Sequence, residues 1–409
     1  MDRDALDRIG LLAAQAGIAG VSEPELLRKF CRLLNEAGLP VARATVAIDT
    51  LHPVHEGRVF RWRRDRSDET EMREYGRIGQ GGDAYESWRR SPFFHMLQNG
   101  LPAMDRALGP DCIDDFPILK EYFDEGLTGW LALVDRFKPD RTIGEMDCIY
   151  SSWLTDRPGG FRPEEVAALR RLVPSLGLAM KSASLARIAE TLVETYLGRD
   201  AGRRVLQGRI ERGVAERMDA VLWFSDLRGF TGITDSVSPG EVIPLLNDYA
   251  DATISAIHEA GGDVLKLIGD GTLAIFTAAR NEEACNCALK AEALMRTRVV
   301  EVNARRAEAG LATTSPYLSL HIGEVYYGNI GSQERLDFTV IGPAVNEVSR
   351  IGTMCRSAER DVLMSSAFVE AARPEDREKF VSVGRYALRG IGRAQELFTL
   401  EPGQRNAGI

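Results

Sequence analysis

The sequence has no apolar run near the roughly 20 residues that a membrane-spanning helix requires, and its N-terminus, MDRDALDRIG, has no signal-peptide core. It also has no excess of basic residues. Its 51 lysines and arginines against 60 aspartates and glutamates give a net charge of −9, which argues against nucleic acid and anionic membranes as partners. None of the six cysteines forms a C-x-x-C pair, so neither a zinc knuckle nor a thioredoxin-like site is indicated. These absences predict a cytoplasmic protein with reduced thiols.

The first 160 residues have the pattern of an α+β domain. Two helices are predicted over 1–38, the second beginning at Ser22, followed by strands in VARATVAIDTLHP and GRVFRWRRD. A loop is predicted over roughly 65–84, short helices near 85–99 and 115–126, and a second strand pair in TGWLALVDRF and GEMDCIYSSWLTD, joined by a turn at KPDRT. This order, with the segment DFPILKEYFDEGLTGWLAL, resembles a GAF-type sensor domain. The resemblance implies an input that is a small molecule, a redox cue, a protein partner or dimerisation alone.

Aromatic and histidine side chains in this part leave two interpretations open. Trp62, Trp88, Trp130 and Trp153 could line a ligand pocket or fill the core. The surroundings of His52, His55 and His95 match no haem or metal pattern.

A long amphipathic helix is predicted from about 162 to 197. Val166, Leu169, Val173, Leu176 and Met180 follow alternating steps of three and four, the spacing of a parallel coiled coil. A helix that ends a domain could instead pack on that domain. Residues 161–214 are accordingly interpreted as a signalling helix and linker.

Chemistry-bearing residues begin at the strand AVLWFSDLRGFTGIT. Asp226 ends the strand and is followed by a Gly-containing turn and a helix start, an arrangement suited to Mg²⁺ and phosphate. The backbone N–H groups of Gly229, Phe230 and Thr231 would face the anionic oxygens.

The hairpin VLKLIGDGTLAIF carries a second aspartate, Asp270, at its tip. Strand alternation predicts that Lys266 shares a face with Ile268 and Asp270, about 13 Å from Asp270 and too far for an ion pair. The hairpin therefore holds a cation and an anion that cannot reach each other. If its tip lies beside the strand that ends at Asp226, the two carboxylates repel unless a cation bridges them.

A helix predicted to begin near Pro343 carries the remaining candidates. Asn346 and Arg350 are four residues apart and project from one helix face. An amide and a guanidinium directed to one point suit ribose orientation and stabilisation of phosphorane charge.

Together, the segments FSDLRGFT, KLIGDGTLAIF and DFTVIGPAVNEVSRI resemble the class III nucleotidyl (adenylate/guanylate) cyclase catalytic domain, over about residues 215–402. The resemblance implies a ferredoxin-like, palm-type fold and a homodimer with active sites shared between protomers. It also implies two Mg²⁺ or Mn²⁺ ions per site, held by Asp226, Leu227 and Asp270. Asn346 and Arg350 would be the catalytic residues, and Lys266 and Thr339 would bind the purine. Where the family more often has an acidic or polar pair, this sequence has Pro343 and Ala344.

The purine contacts favour ATP. Adenine N1 accepts a hydrogen bond and an ammonium only donates, whereas guanine N1 carries a hydrogen and would meet Lys266 poorly. The sequence thus predicts an adenylate cyclase that forms cyclic AMP, with an N-terminal sensor. A guanylate cyclase and a catalytically weak nucleotide-binding regulator are the alternatives.

Overall fold

The structure is a computed structural model that describes residues 3–76, 83–110, 116–137, 143–144 and 146–400. The chain divides into two compact units, residues 1–192 and 193–409. The predicted turn at 138–142 and most of the IGQGGD segment, residues 78–82, lie outside the described residues.

The first unit is built around one antiparallel sheet with the strand order β3-β2-β1-β6-β5-β4. Its elements are α1 (Arg3–Ile18), α2 (Glu23–Glu36), β1 (Arg43–Asp49), β2 (His55–Arg63), β3 (Thr70–Gly76), α3 (Asp83–Arg89), α4 (Pro92–Gln98), β4 (Ala103–Ala107), α5 (Pro117–Asp124), β5 (Gly129–Arg136), β6 (Cys148–Thr155) and the larger part of α6 (Pro163–Leu197). The predicted α+β organisation and the four predicted strands are confirmed. The GAF-like sensor assignment stays a prediction.

Two strands of this sheet were not predicted. β3 lies inside the predicted loop over 65–84, and that prediction is wrong for Thr70–Gly76. β4 lies between the predicted helices near 85–99 and 115–126, where no element was predicted. Both are edge strands, β3 is largely exposed, and β4 has only five residues, so TEMREYG and AMDRA lack the sustained apolar alternation that marks a half-buried strand.

Three of the four tryptophans of the first unit lie in its core, and the fourth, Trp88, is half-buried against Tyr150. Trp62, Trp130 and Trp153 are fully buried, and Trp153 packs edge-on against Phe30. This supports the core interpretation over a tryptophan-lined pocket. Within the described residues, no cluster of three or more His, Cys, Asp or Glu side chains could hold a metal ion.

Helix α6 buries its predicted apolar stripe in its own unit. Leu169, Val173, Leu176 and Met180 are buried in the same core as α1 and α2, whereas Tyr196, near the helix end, is 80% exposed. The alternative of a helix packed on its domain therefore holds for this part of α6. A coiled coil beyond it stays a prediction.

The second unit has an eight-stranded sheet with the order β13-β14-β12-β10-β7-β9-β8, and β11 pairs with β10 outside this row. Its elements are α7 (Arg199–Leu206), β7 (Ala215–Leu227), α8 (Phe230–Ser236), α9 (Pro239–Glu259), β8 (Asp263–Ile268), β9 (Gly271–Phe276), α10 (Asn281–Glu308), β10 (Pro316–Gly331), β11 (Leu336–Ile341), α11 (Pro343–Ser357), β12 (Val362–Ser365), α12 (Ser366–Ala371), α13 (Pro374–Arg377), β13 (Phe380–Tyr386) and β14 (Gln395–Leu400).

The centre of this unit is a ferredoxin-like arrangement. Successive elements β7, α9, β8, β9, α10 and β10 form four antiparallel strands in the order β10-β7-β9-β8, which is the order of a split β-α-β unit. Side chains of β7 alternate between two cores. Val221 and Trp223 pack with α9 and α10, and Ala220 and Leu222 pack with α7, β11 and α11. The pairing of β7 with β9 brings the end of β7 and the β8–β9 turn to one edge of the sheet.

The segment predicted as a linker contains helix α7. Ala201 and Gly202 are buried, and the helix follows Gly198, whose φ is +88°. A Cβ at residue 198 would come within 2.3 Å of the Val264 carbonyl oxygen, so only glycine allows this approach to β8. The assignment of 161–214 as a signalling helix and linker stays a prediction, and the structure adds a helix over Arg199–Leu206. A helix of eight residues, rich in arginine, gives too little periodicity to be recognised.

Among the helices in the described part of the chain, none is long and apolar enough to cross a membrane.

Candidate active site

Two aspartates meet at the edge of the second sheet. Asp226 is the next-to-last residue of β7, and Asp270 lies in the turn between β8 and β9. Because β7 pairs with β9 in the register Ser225 to Thr272, the turn lies beside the end of β7. A carboxylate oxygen of Asp270 accepts a hydrogen bond from the Leu227 N–H at 3.2 Å. The predicted meeting of the two carboxylates is present in the fold.

Glycine makes this close approach feasible. Gly269 has a φ of +64°, which favours glycine over any residue with a Cβ. A Cβ at residue 271 would come within 2.9 Å of the Ser225 carbonyl oxygen. The Gly-Asp-Gly sequence therefore does more than form a tight turn, because it lets the turn lie against β7.

Asp226 and Asp270 are so close that ionisation of both carboxylates is unfavourable. Partial burial, the hydrogen bond with Asp270 and the charge of Asp270 raise the pKa of Asp226 to about 6, while the Leu227 N–H acts in the opposite direction. Two carboxylates close enough to share a hydrogen bond stay together when a proton or a cation lies between them.

A cavity of about 160 Å³ opens next to the pair. Asp226, Leu227 and Asp270 line it, together with side chains from α9 and with Leu267 and Thr272 of the hairpin. The charged donors are oxygen atoms, which are the ligands that Mg²⁺ and Mn²⁺ prefer.

The predicted phosphate-facing turn follows directly. Gly229 precedes α8 with a φ of +68°, and the helix begins at Phe230, which packs against the α9–α10 core. Thr231 is exposed in the first turn. The first N–H groups of any helix have no partner within it, so those of α8 are directed outward from its start.

A β-bulge in β8 sets the direction of the Lys266 side chain. The pairing with β9 shifts between Val264 and Lys266, so that Lys266 lies opposite Leu273. Leu273 belongs to the core beneath β11 and α11, and directly opposite residues share a face. The bulge thus turns Lys266 toward β11.

On β11, Lys266 meets an acidic partner that the sequence interpretation missed. Its ammonium forms an ion pair with the carboxylate of Asp337. The sequence argument considered only the hairpin, where Asp270 is too far from Lys266, and the partner comes from another strand. Asp337 precedes Thr339 by two residues on one strand face, a spacing that could have drawn attention to it.

Thr339 is 6% exposed, and its hydroxyl has no hydrogen-bond partner among the described residues. A buried hydroxyl without a partner costs free energy unless a ligand or water satisfies it.

Asn346 and Arg350 lie on the exposed side of α11, as their spacing predicts. The opposite side, with Val348 and Ile351, is buried. Ala344, one of the two departures from the family pattern, is also buried. A Cβ at Gly323 of β10 would come within 2.8 Å of the Ala344 Cβ. The small residue at 344 therefore lets α11 pack closely on β10.

Comparison with known proteins identifies this unit. Residues 214–402 match the family described as the adenylate and guanylate cyclase catalytic domain. These residues form a cyclase catalytic domain.

Two curated relatives carry the name adenylate cyclase. "Adenylate cyclase" of Anabaena cylindrica is 35% identical over 164 residues, which are 39% of this chain and 32% of the relative. "Adenylate cyclase 1" of Rhizobium meliloti (strain 1021) is 28% identical over 209 residues, 50% of this chain and 30% of the relative. The chain thus matches about a third of the length of these relatives. The crystal structure of the guanylyl cyclase Cya2 is 27% identical, with a TM-score of 0.40 over 46% of this chain and 93% of that one.

Within the cyclase domain, the predicted site residues form separate groups. The cavity beside the carboxylates is lined by Asp226, Leu227 and Asp270. Its lining includes none of the other predicted side chains, which are Lys266, Thr339, Asn346 and Arg350. Lys266 and Thr339 instead lie with Asp337 around β11.

Proposed function

We propose that the chain is an adenylate cyclase that converts ATP into 3′,5′-cyclic AMP and pyrophosphate. The observation that carries this proposal is the carboxylate pair of Asp226 and Asp270, in a domain of cyclase type. The pair needs a positive charge near neutral pH, and substrate phosphates with a divalent cation bring one.

The residues present fit such a cation. Burial and the neighbouring carboxylate of Asp270 raise the pKa of Asp226, and Leu227 lines the same cavity as the two aspartates. Asp226, Leu227 and Asp270 would hold two Mg²⁺ or Mn²⁺ ions. When bound, these ions supply Lewis acidity that lowers the pKa of the ribose 3′-hydroxyl and neutralise triphosphate charge.

Side chains of α11 and the start of α8 would act on the rest of the nucleotide. Asn346 donates to a ribose oxygen and holds the 3′-hydroxyl in line with the α-phosphorus. The 3′-hydroxyl loses its proton to water, its oxygen attacks that phosphorus, the bond to the bridging oxygen of the β-phosphate breaks, and pyrophosphate leaves. Arg350 donates to the phosphate oxygens, whose charge grows in the transition state. The first N–H groups of α8, at Phe230 and Thr231, face the remaining phosphate oxygens.

ATP is the proposed substrate because of the purine contacts. Lys266 donates to adenine N1, and the hydroxyl of Thr339 accepts from the 6-amino group. This contact would satisfy a buried hydroxyl that has no partner among the described residues.

The protein would act as a homodimer. Each site takes its carboxylates from one protomer and Lys266, Thr339, Asn346 and Arg350 from its partner. The separation of these groups within one chain supports this arrangement, as do the exposed apolar residues Leu267 and Ile268 next to Lys266. Regulation by the N-terminal unit stays a prediction.

The test is nucleotide turnover by the full chain with Mn²⁺, with ATP and GTP in parallel. Wild type should form cyclic AMP from ATP and much less cyclic GMP from GTP. Asp226→Asn and Asp270→Asn should each lower kcat by at least about 100-fold, because each removes a charge that holds metal. Asparagine at 270 can still accept from the Leu227 N–H, so the fold should persist.

Asp219→Asn is the matched control, since Asp219 lies on the same strand and is exposed away from the cavity. It should keep wild-type turnover. Substantial cyclic AMP formation by a folded Asp226→Asn or Asp270→Asn variant would contradict the metal assignment. Preferential turnover of GTP would make the protein a guanylate cyclase.

A further inference from the structure

A cavity of about 300 Å³ lies among the short helices of the first unit. It forms where the end of α3, the helix α4 and the start of α5 come together. Among the described residues, its lining includes two arginines, two amide side chains and aromatic rings, and none of these residues belongs to the sheet. The cavity is therefore distinct from the tryptophan-lined pocket that the sequence left open.

Aromatic rings form the apolar wall of the cavity, and packing holds them in place. Phe116 is 8% exposed and belongs to the buried apolar core beneath α4 and α5. The imidazole of His95 meets the Phe116 ring edge-on, with 5.6 Å between the ring centroids. Phe94 packs in the same manner against Trp88, at 6.1 Å. Rings fixed in this way offer a ready apolar surface to a flat ligand.

Two arginines give the cavity a positive charge. Arg89 is the last residue of α3 and Arg90 follows it. The Arg89 guanidinium is 3.7 Å from Glu86, and both side chains are about half exposed. Within the described residues, no hydrogen bond or ion pair engages the Arg90 guanidinium, and no carboxylate lines the cavity. The amides of Gln98 and Asn99, at the end of α4, complete the polar part of the lining.

An exposed arginine at a helix end is by itself an ordinary feature of a protein surface. These two differ because they border a preformed cavity with aromatic walls. A guanidinium pairs with a carboxylate or a phosphate through two parallel hydrogen bonds. An apolar cavity of about 150 Å³ admits one benzene ring, so a cavity of about 300 Å³ has room for one ring with a charged substituent.

We propose that this cavity is a binding site for a small organic anion, in which an aromatic ring carries a carboxylate or a phosphate. The ring lies against Phe94 and Phe116, and the charged group meets Arg89 and Arg90. The Gln98 amide donates to an oxygen of the same group. This inference does not depend on the proposed cyclase activity, because it concerns residues of the first unit alone.

Binding is measured on the full chain by saturation-transfer NMR, at low ionic strength and without divalent metal. Without metal, phosphate probes have no cation to bind in the second unit. The probes are benzoate, phenyl phosphate, uncharged benzyl alcohol, and inorganic phosphate measured by competition. Benzoate and phenyl phosphate should bind with a Kd of about 1 mM or below. Benzyl alcohol and inorganic phosphate should each bind about tenfold more weakly, because each lacks half of the contacts.

Substitutions separate the role of the charge from that of the rings. Arg90→Gln should weaken benzoate binding about tenfold, because it removes a charge-assisted pair, and Arg89→Gln should act in the same direction. Glu86→Gln should strengthen binding about two- to fivefold, because it frees Arg89 from a competing carboxylate. Phe94→Leu should weaken phenyl phosphate more than inorganic phosphate. Arg66→Gln changes an exposed arginine outside the cavity and should match wild type.

Three results would overturn the proposal. The first is no binding of benzoate or phenyl phosphate up to about 10 mM. The second is equal affinity for benzoate and benzyl alcohol, and the third is unchanged affinity in both Arg89→Gln and Arg90→Gln. Both arginines are exposed, so these variants should keep the wild-type melting temperature. The opposite sign expected for Glu86→Gln decides the matter even if an arginine variant unfolds.

Discussion

At the scale of single residues, Asp337 changes what is expected of its ion-pair partner. A carboxylate in place of Lys266 could accept from guanine N1–H and N2–H, which suggests a simple exchange of specificity. Asp337 would then lie next to a second carboxylate, however, and like charges this close disfavour ionisation of both. If Lys266 contacts the base as proposed, an exchange of specificity has to take account of Asp337, which the chain brings next to it only by folding.

We expect Lys266→Glu alone to lose ATP turnover without an efficient gain of GTP turnover. The double variant Lys266→Glu/Asp337→Asn should gain more GTP turnover, because the repulsion is removed. The measurement is kcat/KM for both nucleotides in the single and double variants. Unchanged ATP turnover in Lys266→Glu would mean that Lys266 does not contact the base.

At the scale of secondary-structure elements, a buried histidine joins three parts of the cyclase domain. His321 of β10 is 5% exposed, and its Nδ1 is 2.8 Å from the hydroxyl of Ser365, the residue before α12. The same nitrogen is 3.8 Å from a carboxylate oxygen of Glu347 on α11. The Ser365 hydroxyl also accepts from the Phe368 N–H at 3.1 Å, so its hydrogen is available to a neutral imidazole.

This histidine should make the stability of the domain depend on pH. Burial lowers the pKa of His321 to about 4. The unfolded chain therefore takes up a proton near pH 6.5 that the folded chain refuses, and stability is present above pH 6.5 and lost as the pH falls toward 4. Between pH 7 and pH 5 this amounts to about 2 kcal/mol.

The prediction is tested by urea unfolding of wild type and His321→Gln at both pH values. The free energy of unfolding of the variant should fall less from pH 7 to pH 5, by about 2 kcal/mol. His95→Gln, which changes an exposed imidazole of the other unit, is the control and should behave as wild type. Equal pH dependence in wild type and His321→Gln would contradict the argument.

At the scale of the whole molecule, the separation of the site residues leads to a test of the dimer. In a two-fold dimer with shared sites, a chain with Asp270→Ala damages one half of each site and a chain with Arg350→Ala damages the other half. Each variant alone should be inactive. A mixed dimer should contain one doubly damaged site and one intact site.

Co-expression in equal amounts should restore roughly a quarter of wild-type activity, since about half of the dimers are mixed and each has one good site of two. Differential tags would verify that mixed dimers form. Co-expression of Asp226→Ala with Asp270→Ala is the control, and it should restore nothing because both changes affect the same half. Mixed dimers of the first pair without activity would refute the shared site.

Local pattern determined much of the candidate site from the sequence. The strand before Asp226, the Gly-Asp-Gly turn at Asp270 and the shared helix face of Asn346 and Arg350 follow from period and turn chemistry within a few residues. These features depend on backbone geometry that neighbours in the chain dictate, so the structure has them where the segments predict them.

Tertiary structure alone decided the features that depend on residues distant in the chain. The partner of Lys266 is 71 positions away, and a bulge in β8 turns the lysine toward it. The edge strand β3 forms because β2 offers it hydrogen-bond partners. The short helix α7 forms because the second sheet offers it an apolar surface. The apolar stripe on α6 is equally compatible with a partner helix and with the core of the first unit. In the structure, the stripe from Leu169 to Met180 packs in that core. Periodicity specifies which face of an element is apolar, and only the folded chain specifies what covers it.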